Sequence, residues 1–378
     1  MIAERGSGLK PIIKWAGGKE KELDYILSNI PTAFDNYYEP FIGGGSVFMS
    51  INAKKYFIND LSTELISLYR NIAIENPVFF NYIEQINKSW HKTLGFLEDH
   101  LNLIDVYLKY RNNIIDDRNL KSFILEFCNG SKEDIVDILC EDFYMAHEIM
   151  LSEMHKNLFR KVKRMKALEL SKHILPEKDI FDNIETAIKS ACYMYFRHLY
   201  NDKNLCLSNP LMHCALFFFI RNYCYSGMFR YNINGDFNVP YGGMAYNSKT
   251  LDKKIEYYHS KGLQDHFVNT DISNFDFEVF LRKKRPQKND FIFLDPPYDS
   301  EFSTYAQNEF TKEDHCRLAD FMMNECNSKW MMVIKYTDFI YSLYNGHGLN
   351  IRAFDKEYIV SFMNRNDKKV THLLITNY

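Results

Sequence analysis

The sequence lacks most of the features that would place a chain at a glance. It carries eight cysteines but no Cys-x-x-Cys pair and no His/Cys spacing suited to a metal ion, so no metal-ligating set is expected. Nothing near the start resembles a signal peptide, and scattered thiols of this kind suit a reduced, cytoplasmic setting. Long apolar runs are missing too: the most apolar stretch, Ala215 to Ile220, ends at Arg221 and is far too short to cross a bilayer. There is no excess of positive charge. A net charge of -3 and a pI of 6.5 exclude a generally basic coat, so any nucleic-acid contact has to come from local patches. Neither a G-x-G-x-x-G fingerprint nor a Walker G-K-[ST] ending occurs, which removes pyrophosphate as the expected ligand. Internal repeats, low-complexity tracts and clear linkers are also absent.

What is present begins with size. At 378 residues the chain can bury a large core and predicts two domains, or one with a big insertion. Contents of 46% hydrophobic and 25% charged residues are ordinary for a soluble globular protein. The 16% aromatic content is high, and its 30 Phe and 26 Tyr are expected mainly in the core.

The stretch Phe291-Ile292-Phe293-Leu294-Asp295-Pro296-Pro297-Tyr298 reads as a buried strand cut off by two prolines, which cannot donate to a ladder. Its polar end then lies at the carboxyl edge of a sheet, where open α/β folds bind ligands. One acid, a rigid turn with carbonyls and a flat ring suit a flat base bearing an amino group. Taken alone, the tetrapeptide is explained equally well as a structural turn.

Three earlier segments bear on that choice. Lys14-Trp15-Ala16-Gly17-Gly18-Lys19 places a ring and a cation at a glycine turn before an apolar helical pattern at Leu23, Ile26, Leu27 and Ile30. Glu39-Pro40-Phe41-Ile42-Gly43-Gly44-Gly45-Ser46 has the form strand, glycine loop, helix, which lets a nucleoside approach the main chain. A second short strand, Tyr56 to Asn59, ends in Asp60, about twenty residues after Glu39, the spacing that presents an acid to ribose hydroxyls. Asp60 also suits a helix N-cap.

From about Asn76 to Leu205 the pattern turns helical and charged, and Arg160 to Lys166 is its densest basic cluster, either a solvated face or a DNA-backbone footprint. Ala215 to Tyr223 predicts a buried helix. Asn234-Gly235 then signals a hairpin, with Arg230, Tyr231 and Asn232 near a projecting ribbon. Phe267 to Asp271 predicts a strand ending in an acid, Arg282 to Arg285 an exposed loop, and Trp330 to Ile334 and Val370 to Thr376 further strands with helical patterning between them.

In this order, Lys-Trp-Ala-Gly-Gly-Lys, Glu-Pro-Phe-Ile-Gly-Gly-Gly-Ser, Asn-Asp-Leu, Arg-Tyr-Asn with Phe-Asn-Val-Pro, and Asp-Pro-Pro-Tyr resemble the Dam-type DNA adenine-N6 methyltransferases of the alpha group. The motif match covers about residues 10–75 and 210 to the C-terminus and leaves the helical stretch unmatched. The resemblance implies an α/β fold: a Rossmann-like, mostly parallel, seven-stranded methyltransferase sheet with an inserted, mainly helical target-recognition domain carrying a β-hairpin. Residues 1–75 and 265–378 would form the catalytic domain that binds S-adenosylmethionine, and 76–264 the recognition domain, with extra helices over about 80–205 and a hairpin over about 224–245. It further implies Trp15, Lys19, Phe41, Gly43, Gly45, Asp60, Asp271 and Asp295 at the cofactor. Asp295, Pro296, Pro297 and Tyr298 would hold a flipped-out adenine, and Tyr225, Ser226, Arg230 and Asn232 would meet double-stranded DNA. Dam itself has asparagine where Ser226 stands, which separates this chain from GATC recognition by simple analogy. A cognate restriction enzyme is the partner such an enzyme can have. Competing expectations are a non-catalytic DNA-binding or regulatory subunit on the same fold, and an enzyme acting on cytosine N4, RNA adenine or a glutamine side chain.

Overall fold

The computed structural model describes residues 8–298, 310–357 and 369–378. The chain divides into two compact units, one made of residues 1–74 and 258–378, the other of residues 75–257. The second junction lies earlier than the 264/265 boundary expected from sequence. The reason is the helix Lys261–Val268, which buries Leu263 and Phe267 and sets the Phe267 ring 6.0 Å from Phe48 in the first unit.

The first unit is built on a seven-stranded sheet: β1 (Asn36–Glu39), β2 (Lys55–Asn59), β3 (Thr270–Ser273), β4 (Phe291–Leu294), β5 (Lys329–Lys335), β6 (Asn350–Glu357) and β7 (Lys369–Thr376). Their order is β3-β2-β1-β4-β5-β7-β6. β3, β2, β1, β4 and β5 pair in parallel, and β7 runs antiparallel between β5 and β6. Strand order reverses between β1 and β4, whose registers place Tyr37 beside Phe291 and Tyr38 beside Ile292. Such a reversal opens a crevice beyond the carboxyl ends of the two strands. All four β4 residues are buried, as a parallel strand covered on both faces requires, and this explains its unbroken apolar run.

The second unit is mainly helical, from Pro77–Asp99 to Pro210–Tyr223. Asn76 and Asn209 cap those two helices with their side chains, each ahead of a proline in the first turn. The rings of Trp90, Tyr193, Phe219, Tyr223 and Tyr241 pack together in its core, where the aromatic surplus is spent.

Four expectations need correction. Phe267 and Val268 belong to a helix, and the strand begins only at Thr270, because Leu263 and Phe267 recur at helical spacing on a buried face. Arg282 to Lys284 form the last turn of the helix Phe277–Lys284, not a loop, and their charges suit that helix end. Between Ile334 and Lys369 lies strand β6 as well as the helix Asp338–Tyr344. The Asn234-Gly235 turn is present, with Gly235 at φ 81°, but among the described residues its ladder is limited to the bridges Tyr231↔Phe237 and Cys224↔Tyr241.

His266 gives this unit a pH response. Its ring lies 4.4 Å from the Phe48 ring and 4.3 Å from the Tyr56 ring, and Nε2 donates to the Phe48 carbonyl at 3.1 Å. Burial pushes its pKa down to about 4, against the smaller opposing effect of the Phe48 hydrogen bond. A depressed folded-state pKa means that stability is complete above the unfolded value near 6.5 and is lost as pH falls through about 4. The loss due to this group is on the order of 3 kcal/mol at pH 4. Replacing His266 with Leu is expected to shrink the gap between unfolding free energies measured at pH 7 and pH 4.5, and an unchanged gap would refute the assignment.

Candidate active site

Three chain segments converge at the β1/β4 crevice. The turn at Gly17, with φ 79°, brings Lys19 inward until it is only 2% exposed. Its ammonium donates to Asp295 Oδ1 in a short ion pair, to the Tyr298 hydroxyl at 3.2 Å and to the Gly17 carbonyl at 3.0 Å. An ammonium has three hydrogens, and these partners account for all of them. Behind the pair lies Glu39, whose Oε2 accepts from the Tyr37 hydroxyl at 2.7 Å. Burial raises the Glu39 pKa well above the usual carboxylate range, and the charge on Asp295 adds to the rise.

The glycine loop supplies the next wall. Gly43 and Gly45 have φ of 48° and 78°, and a Cβ on Gly43 would meet the Trp15 ring at 2.9 Å. Gly44 lies so close to Ile13 that its Cβ would sit 2.7 Å from the carbonyl oxygen. The loop is therefore pressed onto the Trp15 segment, and only glycine permits that approach. Asp60 ties the loop from the other side, Oδ2 accepting from Gly43 N at 3.1 Å and Oδ1 from Ser62 N at 2.9 Å. Burial raises its pKa, opposed by those amides and by Leu61 N. The N-cap of the following helix is Ser62, which frees Asp60 from that duty.

Asn59 joins the loop after β1 to the loop after β3. Its Nδ2 donates to Pro40 O and Phe275 O, and its Oδ1 accepts from Phe275 N at 2.8 Å. Together these walls enclose a cavity of about 430 Å³. Trp15, Phe41, Gly43, Asp60, Asp295, Pro296, Pro297 and Tyr298 all line it, and Lys19 and Gly45 line an adjoining recess with Glu39. The volume lies in the range typical of small-molecule sites, about 300–1,000 Å³. Rings supply the apolar lining: Phe41 lies 5.6 Å from both Phe277 and Phe310.

Asp271 lies apart from these residues. It stands inside β3, not after it, is 44% exposed and pairs with Lys284 at 2.7 Å. The acid that lines the cavity from this side is Asp276, which caps the helix Phe277–Lys284 and pairs with Arg317 at 3.0 Å. Reading the strand as ending at residue 271 placed the acid one loop too early. Glu39, Asn59, Asp276 and Phe277 also line the crevice without having been expected there, and His372 touches the cluster from behind, its Nε2 3.3 Å from the Tyr298 hydroxyl. For Glu39 a signal existed, an acid at a strand end next to glycines. For His372 on β7 there was none.

In the second unit, Tyr225 is 46% exposed and Ser226 takes a left-handed backbone at φ 54°. Arg230 is exposed, its Nε held by Asn238 Oδ1 at 2.9 Å. Asn232, expected beside it as a reader of base edges, turns its side chain inward: Oδ1 accepts from the amides of Asn234 and Asp236, and Nδ2 donates to Asp236. The basic run is likewise engaged internally. Lys163 pairs with Asp117, Lys166 donates to Tyr110 O and Asn113, and Arg160 donates to Asn157.

A family model described as D12 class N6 adenine-specific DNA methyltransferase matches residues 15–167 and 153–358, so the match runs through the helical stretch that motifs alone leave out. The chain is 26% identical over 376 residues to the Type II methyltransferase M.CviBI of Paramecium bursaria Chlorella virus NC1A, an alignment that covers 98% of this chain and 100% of that protein. It is 24% identical over 387 residues to the Type II methyltransferase M.MjaIII of Methanocaldococcus jannaschii, covering 98% and 99%. Against the DNA adenine methylase of Salmonella typhi it is 22% identical over 335 residues, covering 87% and 81%.

The Lys19–Asp295 ion pair can be tested by stability alone. Lys19→Met would remove the cation from the Asp295 carboxylate at the crevice and is expected to cost about 3 kcal/mol in urea unfolding. Adding Asp295→Asn to Lys19→Met should recover part of that loss, and a double variant no more stable than Lys19→Met would show that the pair is not what the fold needs.

Proposed function

Because the chain belongs to the D12 class of N6 adenine-specific DNA methyltransferases, we propose that the cluster Lys19–Asp295–Tyr298 is where adenine N6 is methylated, on a base turned out of the duplex. The observation that carries this reading is the placement of an acid, two prolines and a ring together in the lining of the cavity, at the switch point of the sheet. The chain methylates adenine in DNA, and each wall of the crevice has a part in that reaction.

The cavity suits S-adenosylmethionine. It has nucleoside dimensions, a glycine loop that presents main chain, and the half-buried Asp60 carboxylate to accept ribose hydroxyls. Trp15, Phe41 and Phe277 would flank the ligand, and Asp276 would take the side on which Asp271 was expected. When bound, S-adenosylmethionine supplies an electrophilic methyl group on a sulfonium.

An exocyclic amine is a poor nucleophile because its lone pair is delocalised into the ring. Asp295 and the Pro296 carbonyl would accept the two N6 hydrogens and draw the nitrogen toward tetrahedral geometry, so that its lone pair points out of the ring plane. A carboxylate has about four lone-pair directions, so the bond to Lys19 does not exhaust Asp295 as an acceptor. Lys19 also offsets the charge of Asp295, which suits an orienting acceptor better than a strong base. Tyr298 would stack on the base. Orientation and electrostatics then carry the rate, and the proton lost from N6 passes to water.

Turning the base out costs a few kcal/mol, which contacts elsewhere on the DNA must offset. Arg230 would contribute there. With Nε held by Asn238, its two terminal nitrogens present the fork that matches a guanine edge.

Two measurements test this. Asp295→Ala is expected to lower methyl transfer from labelled cofactor to DNA by about 100-fold or more while DNA binding changes little. Activity within a few-fold of wild type would sink the assignment. For Arg230→Ala, methylation across a panel of single-base site variants should show relaxed discrimination at one base pair, worth about 1–3 kcal/mol. A uniform loss on all sequences would mean that Arg230 contacts phosphate.

A further inference from the structure

His372 is fully buried in the middle of β7, far in sequence from every motif, with Lys335 of β5 and Phe354 of β6 as its strand partners. Its Nε2 lies 3.3 Å from the Tyr298 hydroxyl, and the two rings meet edge to face, centroids 5.5 Å apart at 71°. On its other side the imidazole packs 5.8 Å from the Phe354 ring. The same hydroxyl receives Lys19 at 3.2 Å.

An ammonium only donates, so the Tyr298 oxygen accepts from Lys19. That leaves the hydroxyl a hydrogen and a second lone pair, and His372 Nε2 bonds to it in either tautomer, as acceptor of the one or donor to the other. In both cases the hydroxyl is held from two sides, by Lys19 and by His372. A tyrosine held only at its backbone can swing about its side-chain torsions. One whose hydroxyl is bonded from two sides keeps its ring plane.

We propose that His372 is a positioning residue for the methyl-transfer reaction: it fixes the plane of the Tyr298 ring, so that the slot for the adenine exists before the base arrives. The proposal rests on the reading of Tyr298 as the ring that stacks on that base. Preset geometry of this kind raises turnover more than affinity, because the ordering is complete before the substrate binds. It also gives the antiparallel β6–β7 pair a part in the site that the glycine loop and the Asp-Pro-Pro-Tyr segment do not supply.

The test is a double-mutant cycle on the full-length chain, with kcat and KM measured for labelled methyl transfer to DNA. Tyr298→Phe keeps the ring and removes the hydroxyl; His372→Phe keeps a ring there and removes the hydrogen-bonding nitrogen. Each is expected to lower kcat about tenfold, the scale of one buried hydrogen bond, with KM for DNA and cofactor within about twofold. The double variant should be no worse than Tyr298→Phe alone, because that change already removes the bond to His372. His372→Gln, whose amide offers both an acceptor oxygen and a donor nitrogen to the hydroxyl, should return kcat toward wild type. Losses that multiply in the double variant, or a Tyr298→Phe enzyme with unchanged kcat, would overturn the proposal. The Tyr298→Phe result holds even where a His372 variant fails to fold. Tyr298→Ala separates the two readings: full activity there would refute base stacking itself, whereas a large loss with Tyr298→Phe unchanged would refute only the part played by His372.

Discussion

The structure of the crevice between β1 and β4 depends on one ion pair. Lys19 and Asp295 are separated by 276 positions in the chain, and their side chains are 2% and 20% exposed. A pair of this kind adds little net stability, because desolvation offsets most of the attraction, yet losing one partner is costly. It therefore acts as a registration device: the Gly17–Gly18 turn, the end of β4 and the Tyr298 ring must all be placed correctly before the charges can meet. Glu39 beside them would upset that balance if ionised, with two negative charges against one positive. Burial raises its pKa and keeps the local charge near neutral.

The parts of the fold that were legible in the sequence are those in which the local pattern and the tertiary environment agree. β4 is covered on both faces, so four consecutive apolar residues spell it out, and the two prolines after it mark where it ends. The glycine loop was legible because close packing against Trp15 and Ile13 excludes any other residue. Strand β6 was not, because its residues alternate weakly and several face solvent. Phe267 misled because a β-rich composition can sit on a helix whose buried face recurs every three to four residues. Asp271 misled for the same reason, since the later start of β3 moves the cavity-lining acid to Asp276.

Site residues were legible when they belonged to a contiguous motif and illegible when pairing across the sheet gave them their role. Asp60 beside Gly43 follows from a strand–loop spacing, whereas Tyr298 beside His372 follows only once β7 lies antiparallel to β5. In the second unit the basic run shows the opposite error: a dense cluster of cations attracts attention in a sequence, yet most of these side chains are partnered within their own unit. Asn232 is similar. An asparagine two residues after an arginine suggested base reading, but Asn232 opens the turn that Asn234-Gly235 completes, has amides within reach, and bonds to them.

The same reasoning bears on Ser226, a motif position at which this chain departs from the Dam pattern. Its φ of 54° and ψ of 17° are left-handed, the next residue is Gly227 at 63°, and Arg221 holds the turn by donating to the carbonyls of Gly227 and Met228 at 3.1 Å. Among residues with a Cβ, asparagine enters this region most readily, so an asparagine here satisfies the backbone before it satisfies any base. Serine retains the turn because Arg221 and Gly227 enforce it from either side. Exchange of one for the other thus changes the hydrogen-bonding group that the turn presents while leaving its path intact. A departure at such a position is first a statement about backbone conformation, and a difference in base preference has to be sought in what the exposed side chains beside it, Tyr225 and Arg230, can reach.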